Sequence, residues 1–365
     1  MVGVEWDFND YLLGKFRFDE FKVYDQNKIA CFDLDGTLIS CKSGKKYPID
    51  ENDWSFFSDS VVKDVRYYHE NQYQIVIVTN QSGLTDNEKR CREWKIKLEN
   101  IVSIINVPII ILSSTSHDKF RKPLPSFWDV IEKTFIKKNV DKSKSFYCGD
   151  ACGRALDHSD CDIKFALNSG VKFYTPEELF NKAAVKIPQI IYSVHDEIKK
   201  FTENNNKEFV KKDKEIILLV GLQGSGKSTY SDILVNVHGY VRINQDTLKT
   251  KSKCLAEAKK QMGLDSSIVV DNTNSSKDTR AEYIKLAQKY GYYVRCIIFD
   301  VSLDFAMHNA AYRMYKYNKN SIPKIAYAMY KKYYVEPKKE EGIDEIEKVY
   351  PYIKEYEPDY LMFML

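Results

Sequence analysis

Two aspartates separated by one residue, Asp33 and Asp35, follow the apolar run from Ile29 to Phe32 and precede Gly36. Like charges this close repel unless a cation or a reaction needs both. A strand that hands them to a glycine turn sets them at the C-terminal edge of a sheet, where open α/β sheets carry their chemistry. Mg²⁺ suits the pair, because it is hard, takes oxygen ligands and partners phosphate. An acidic strand-to-helix turn without a role is the plain alternative.

Further strand ends extend the set. Tyr73 to Val78 reads as a buried strand ending in Thr79, Asn80 and Gln81, whose hydroxyl and amides can bind a phosphoryl oxygen. Val107 to Leu112 reads as a third, followed by a polar loop holding Lys122 between Arg121 and Pro123; Lys144 to Cys148 leads into Asp150, with Asp162 beyond. Two aspartates, a threonine, a lysine and an aspartate on strand ends suit a phosphomonoester hydrolase working through an aspartyl-phosphate. The flap SGKKYPIDENDW adds Lys45 and Lys46 as candidates to face phosphate, with a solvated surface loop as the equal alternative.

The pattern restarts downstream. The apolar run Glu215 to Val220 is followed by GLQGSGKST, Gly221 to Thr229, and then a helix, which is G-x-x-x-x-G-K-S in strand, loop and helix context. Backbone N–H groups from Gly224 through Ser225 and Gly226 to Lys227 would cradle nucleotide phosphates, Lys227 would reach the β and γ positions, and Ser228 would ligate Mg²⁺. With Gly221 and Thr229 these form the expected nucleotide site. Asp246 follows a short strand and is the candidate base for a hydroxyl proton. Asp271 ends the strand Ser267 to Val270 as a second substrate or metal contact, and Arg280 opens the next helix as a candidate substrate contact. Arg313, on a later helix, is a candidate lid cation for the moving phosphoryl and the nucleotide. Structural acids and a surface arginine are the alternatives.

These residues need two sets of elements. Residues 1–28 read as short strands leading into a first sheet, and Asn87 to Ile104 as a helix with Trp94, Leu98, Ile101 and Val102 on its apolar face. The asparagine run flanked by lysines near 200–213 cannot bury much apolar surface, which marks a boundary. The expected division is a phosphatase-like domain over 1–195, a linker over 196–213 and a kinase-like domain over 214–365. The fold class is α/β, a Rossmannoid domain followed by a P-loop domain with a parallel sheet.

The totals agree with a globular chain: 365 residues, 44% hydrophobic and 29% charged, net charge +3, with a mean hydropathy of −0.45. Mildly basic charge permits a polyanionic partner without demanding one. No segment approaches the roughly 18 apolar residues of a membrane span, and the acidic, aromatic N-terminus is unlike a signal peptide. An intracellular location, nucleus or cytoplasm, is expected. The eight cysteines form no CxxC pair, and Cys148, Cys152 and Cys161 read as buried thiols rather than zinc ligands.

The first half resembles the haloacid dehalogenase superfamily of phosphatases. That likeness implies Asp33 as nucleophile, Asp35 as general acid and then base, and Thr79 as a phosphoryl contact. It also implies Lys122 as the neutralising cation and Asp150, with Asp162 as a further candidate, as Mg²⁺ ligands beside Asp33 and Asp35. The whole chain is similar to the bifunctional polynucleotide phosphatase/kinase family. DLDGTLI, SGKKYP, TNQ, FRKP, GDACGR, CDIKFALN, TPEELF, GLQGSGKST, DTL, DNTN, HN and YKKYYVEP stand in the family's order.

The resemblance implies ATP as donor, nucleic acid with 3′-phosphate or 5′-hydroxyl ends as substrate, DNA favoured over RNA, and work alongside a ligase; a monomer is expected. The family's amino-terminal phosphopeptide-binding domain has no counterpart in this sequence. Gln245 stands where an arginine is common, and Ala310 and Ala311 stand beside Asn309 in place of polar or basic residues. A small-molecule phosphatase fused to a small-molecule kinase and a non-catalytic end-binding module are the competing readings.

Overall fold

The structure, a computed structural model, describes residues 3–45, 48–190, 194–204, 209–351, 353 and 356–364. The chain divides into two compact units, one of residues 1–191, 314–318 and 362–365 and one of residues 192–313 and 319–361. No helix is long and apolar enough to cross a membrane among the described residues.

The strands of the first unit are β1 (Val4–Phe8), β2 (Leu12–Phe16), β3 (Lys28–Phe32), β4 (Ile39–Ser40), β5 (Ser55–Phe56), β6 (Tyr73–Asn80), β7 (Ile109–Ser114), β8 (Phe146–Cys148) and β9 (Lys172–Tyr174). Seven form one sheet in the order β1-β2-β7-β6-β3-β8-β9, while β4 and β5 pair separately. From β7 to β9 all pairings are parallel, and β1 and β2 add an antiparallel edge. The parallel strands are apolar on both faces, so each face buries a separate cluster, one around Phe32, Ile77 and Leu98 and the other around Cys31, Val76 and Trp128.

The central strand β3 has β6 on one side and β8 on the other, so the strand order switches direction there, the place where such sheets open a crevice. Register fixes what enters it. Phe32 pairs with Ile77 and with Cys148, so Thr79 and Asp150 each stand two residues past their partner strand's contact and flank Asp33.

The second unit contains β10 (Glu215–Val220), β11 (Val241–Ile243), β12 (Ile268–Val270), β13 (Tyr293–Phe299) and β14 (Glu345–Val349), all parallel, in the order β11-β12-β10-β13-β14. Its direction switches at β10, whose end carries the glycine-rich loop. The helix Lys227–His238 follows it directly. Together the sheets match the expected α/β class with two α/β halves.

Residues 194–204 differ from the linker expected over 196–213. They form a helix in which Val194, Ile198 and Phe201 are buried, because a spacing of three to four residues collects the few apolar side chains on one face. The polar composition around them concealed that stripe.

Candidate active sites

In the first unit a lysine organises the crevice. Lys122 Nζ donates to Asp33 Oδ1, to Asp162 Oδ1 and to the Tyr147 hydroxyl, each at 2.7 Å, in a setting where lysine and both acids are buried. Although burial works against its charge, Asp162 and Asp33 hold the Lys122 ammonium above the ordinary lysine range. Burial, with repulsion from Asp162 and Asp150 set against the attraction of Lys122, pushes the Asp33 carboxyl well above the usual carboxylate range. Burial first, and Asp162 next, push Asp150 up to about 7.

Asp33, Asp150 and Asp162 each offer an oxygen within 4.8 Å of the others. One buried oxygen of Asp150, Oδ1, has no hydrogen-bond partner. Three acids against one lysine, with one Asp150 oxygen left unpartnered, fit a hard divalent cation.

Two glycines make room for this cluster. Gly36, at φ +85°, lies so close to Asp150 that a Cβ there would stand 2.6 Å from its carboxyl carbon. A Cβ on Gly149 would come within 2.5 Å of the Asp162 carboxyl carbon, and Ala151 N–H fixes the other Asp162 oxygen at 3.0 Å. Gly149→Ala should therefore displace Asp162 and lower phosphomonoesterase turnover by about a hundredfold, the typical cost of an ångström of misplacement. Unchanged turnover in a steady-state assay would show that this contact does not matter.

Asp35 departs from the metal set. Its side chain is half-exposed and held by Lys97 Nζ at 3.1 Å and Gln81 Nε2 at 2.6 Å; the turn at Gly36 sends the two carboxylates to different partners. Asn80, expected to contact substrate, instead brackets the Lys122 backbone: its Oδ1 accepts from Lys122 N at 3.0 Å and its Nδ2 donates to Lys122 O at 3.2 Å. Thr79 is buried at the strand tip and accepts from Gln81 Nε2 at 3.0 Å. Lys45 is exposed on the flap, which is tied by Asp53 to Ser43 and Ile49; nothing brings it to the acids. Lys46 lies outside the described residues. Tyr147 went unnoticed in the sequence, since a tyrosine in an apolar strand looks like core.

In the second unit, Gly224 and Gly226 adopt φ of +82° and +93°. A Cβ on Gly224 would collide with the Ala306 carbonyl, and one on Gly226 would lie 3.2 Å from Pro351. The loop is thus packed too closely against its neighbours to admit side chains at these positions, and its N–H groups open the helix Lys227–His238, the arrangement that binds phosphate. Lys227 is buried and arches over the loop, its Nζ donating to Gly221 O at 2.8 Å and Leu222 O at 2.5 Å. Burial pushes its ammonium down to about 8, against the pull of Asp271. Ser225 is buried, whereas Ser228 and Thr229 face solvent.

Asp246 is exposed in the short helix Gln245–Leu248. Asn244 caps that helix and donates to Asp271 O at 2.6 Å, which ties the candidate base to the strand end carrying Asp271. The Asp271 carboxylate is buried and paired with Arg242. Arg313 is exposed on the helix Leu303–Tyr317. Asn309, one turn earlier, donates to Gly224 O at 2.7 Å, so residue 313 shares the face that meets the loop.

Arg280 is not a substrate contact. It is fully buried and grips Glu341 with two hydrogen bonds of 2.9 and 2.7 Å, and donates to Asn274 O and Ser275 O. A carboxylate 61 residues away consumes its charge.

His308, next to Asn309, is buried and its Nε2–H donates to Tyr360 O at 2.9 Å. Burial pushes it down to about 4 from an ordinary 6.5. A folded value below the unfolded one means stability held above pH 6.5 and lost as pH falls toward 4, by up to about 3 kcal/mol. His308→Gln should flatten that part of the pH dependence, read as the thermal midpoint of the second unit at pH 7 and pH 5. An equal drop in both proteins would refute it.

Comparison with known proteins agrees with this arrangement. A family model described as polynucleotide kinase 3 phosphatase matches residues 28–180, and one described as an AAA domain matches residues 216–263 and 252–337. The chain is 35% identical over 361 residues to the bifunctional polynucleotide phosphatase/kinase of Schizosaccharomyces pombe, covering 98% of this chain and 87% of that protein. It is 34% identical over 388 residues to a putative bifunctional polynucleotide phosphatase/kinase of Acanthamoeba polyphaga mimivirus, covering 95% and 90%. Its first half is 38% identical over 172 residues to the polynucleotide 3′-phosphatase ZDP of Arabidopsis thaliana, covering 43% of this chain and 24% of that protein. The chain belongs to the bifunctional polynucleotide phosphatase/kinase family.

Proposed function

We propose that this enzyme heals broken nucleic-acid ends for strand-break repair, removing 3′-phosphate at the first site and phosphorylating 5′-hydroxyl at the second. The observation that carries the reading is the buried Asp33–Lys122 pair at 2.7 Å, a nucleophile with its counter-cation, in a chain that also carries a P-loop.

At the first site an Asp33 carboxylate oxygen bonds to phosphorus as the bond from phosphorus to the 3′-oxygen breaks, and Asp35 gives that oxygen a proton. Asp35 then takes a proton from water as the water oxygen bonds to phosphorus, which releases inorganic phosphate and restores Asp33. Thr79 and Lys122 hold the phosphoryl group and offset its charge.

At the second site Asp246 takes the proton of a 5′-hydroxyl whose oxygen bonds to the γ-phosphorus of ATP, and ADP leaves. Loop N–H groups and Lys227 hold the phosphates, and Arg313 offsets the charge that moves. Mg²⁺ would be held by Asp33, Asp150 and Asp162 in the first site, and by Ser228 with Asp271 in the second, and would supply positive charge to offset that of the phosphate oxygens. The products, 3′-hydroxyl and 5′-phosphate, are what a ligase joins.

The test is a nicked duplex bearing 3′-phosphate and 5′-hydroxyl, incubated with ATP and Mg²⁺ beside its RNA equivalent, with both termini resolved. Conversion of both ends is expected, with DNA favoured. Equal efficiency on a nucleoside 3′-monophosphate would overturn the polymer reading.

A further inference from the structure

Lys97 lies on the helix Glu88–Ile105, in the stripe formed by Trp94, Leu98, Ile101 and Ile105. All of those residues are buried, and so is Lys97, which is only 4% exposed. An ammonium in an apolar stripe costs several kcal/mol of desolvation, and a buried pair returns that only with excellent geometry. The partner here is Asp35, whose side chain remains 47% exposed. Pairing with a half-solvated carboxylate is a poor way to stabilise a fold, so the placement calls for another reason.

The reason lies in where the ammonium is aimed. Lys97 Nζ donates to Asp35 Oδ1 at 3.1 Å, and Gln81 Nε2 donates to Asp35 Oδ2 at 2.6 Å while also reaching Thr79 Oγ1 at 3.0 Å. Both carboxylate oxygens are thereby fixed, by donors from two different elements, and one of those donors also touches the expected phosphoryl contact. We propose that Lys97, with Gln81, is a positioning residue that holds Asp35 in the orientation needed to take a proton from the water that hydrolyses the Asp33 phosphate. This rests on the phosphatase reading of Asp33 and Asp35. Both partners donate, so what they orient is an acceptor, and the burden falls on the second step. There the water oxygen bonds to phosphorus, the bond from phosphorus to Asp33 breaks, and the water proton passes to Asp35. An exposed aspartate without these tethers samples other rotamers, and lost alignment of a reacting group costs rate rather than binding.

The experiment uses the full chain and an oligonucleotide carrying a ³²P-labelled 3′-phosphate, acid-quenched during turnover so that label on protein can be counted. Lys97→Met should retain 5′-kinase activity and melt no earlier than the parent. Its phosphatase kcat should fall about ten- to a hundredfold with KM falling alongside it, so that kcat/KM changes little, while the labelled fraction of protein rises. Lys97→Arg should restore most of the turnover and return the labelled fraction toward the parent value. Turnover of Lys97→Met within about twofold of the parent, or a loss of turnover with no rise in labelled protein, would overturn the proposal. An Asp33→Asn arm separates the two readings: label persisting in Asp33→Asn would end the phosphatase reading itself, whereas label lost there but unchanged in Lys97→Met would end this inference alone.

Discussion

Asp33→Asn is expected to lower 3′-phosphatase turnover by at least about a thousandfold, roughly 4 kcal/mol of barrier, and to leave 5′-kinase turnover within about twofold. The side chain keeps its shape and an oxygen for Lys122, so the buried cluster loses a charge but not its packing. On the proposed mechanism what disappears is the carboxylate that attacks phosphorus, and the neutral amide is too weak a nucleophile to replace it. Lys122 would then face Asp162 as its remaining acidic contact at 2.7 Å, which keeps the ammonium paired and the crevice closed. The measurement is phosphate release from a 3′-phosphorylated oligonucleotide, with 5′-phosphorylation by the same preparation as the folding control. Loss of both activities in a protein that still melts cooperatively would contradict two separate sites.

How much of this was legible depends on the range over which each residue finds its partner. Strand ends were readable because apolar runs terminate sharply: Glu215–Val220 coincides with the expected strand, and Tyr73–Asn80 differs only at its end. Asp33, Thr79, Asp150 and Asp271 follow from that, since a residue at or just past the end of a parallel strand has one edge to occupy. The edge strand Glu345–Val349 escaped notice because its mixed EIEKV sequence carries no apolar run.

Side-chain partnerships across long separations were beyond reach. Arg280 looks like any basic residue at a helix start until Glu341 arrives beside it, and an amide that brackets the Lys122 backbone has the same composition as one that binds phosphate. Lys97 did leave a trace: it occupies a position three residues past Trp94 and four before Ile101, where an apolar side chain belongs. A charged residue inside such a stripe is the signal worth weighing, because burial makes it expensive unless something specific receives it.

Lys227→Ala should do the reverse of Asp33→Asn, removing at least about a thousandfold of kinase turnover while 3′-phosphatase activity continues. The ammonium is buried by the loop it serves, and burial has already pushed it down to about 8. Its contacts to the Gly221 and Leu222 carbonyls would be exchanged for phosphate oxygens when a triphosphate binds. Alanine leaves those carbonyls to water and deprives a triphosphate of the cation nearest the transferring group, a contact that strengthens as charge shifts toward the leaving oxygen. Both kcat and kcat/KM for ATP should therefore fall, whereas a change in KM alone would mean that Lys227 merely binds. Lys227→Arg keeps the charge but not the compact point geometry, so it should recover little. A variant in which alanine raises KM yet leaves kcat near the parent value would remove Lys227 from the chemistry and return the P-loop to a binding role.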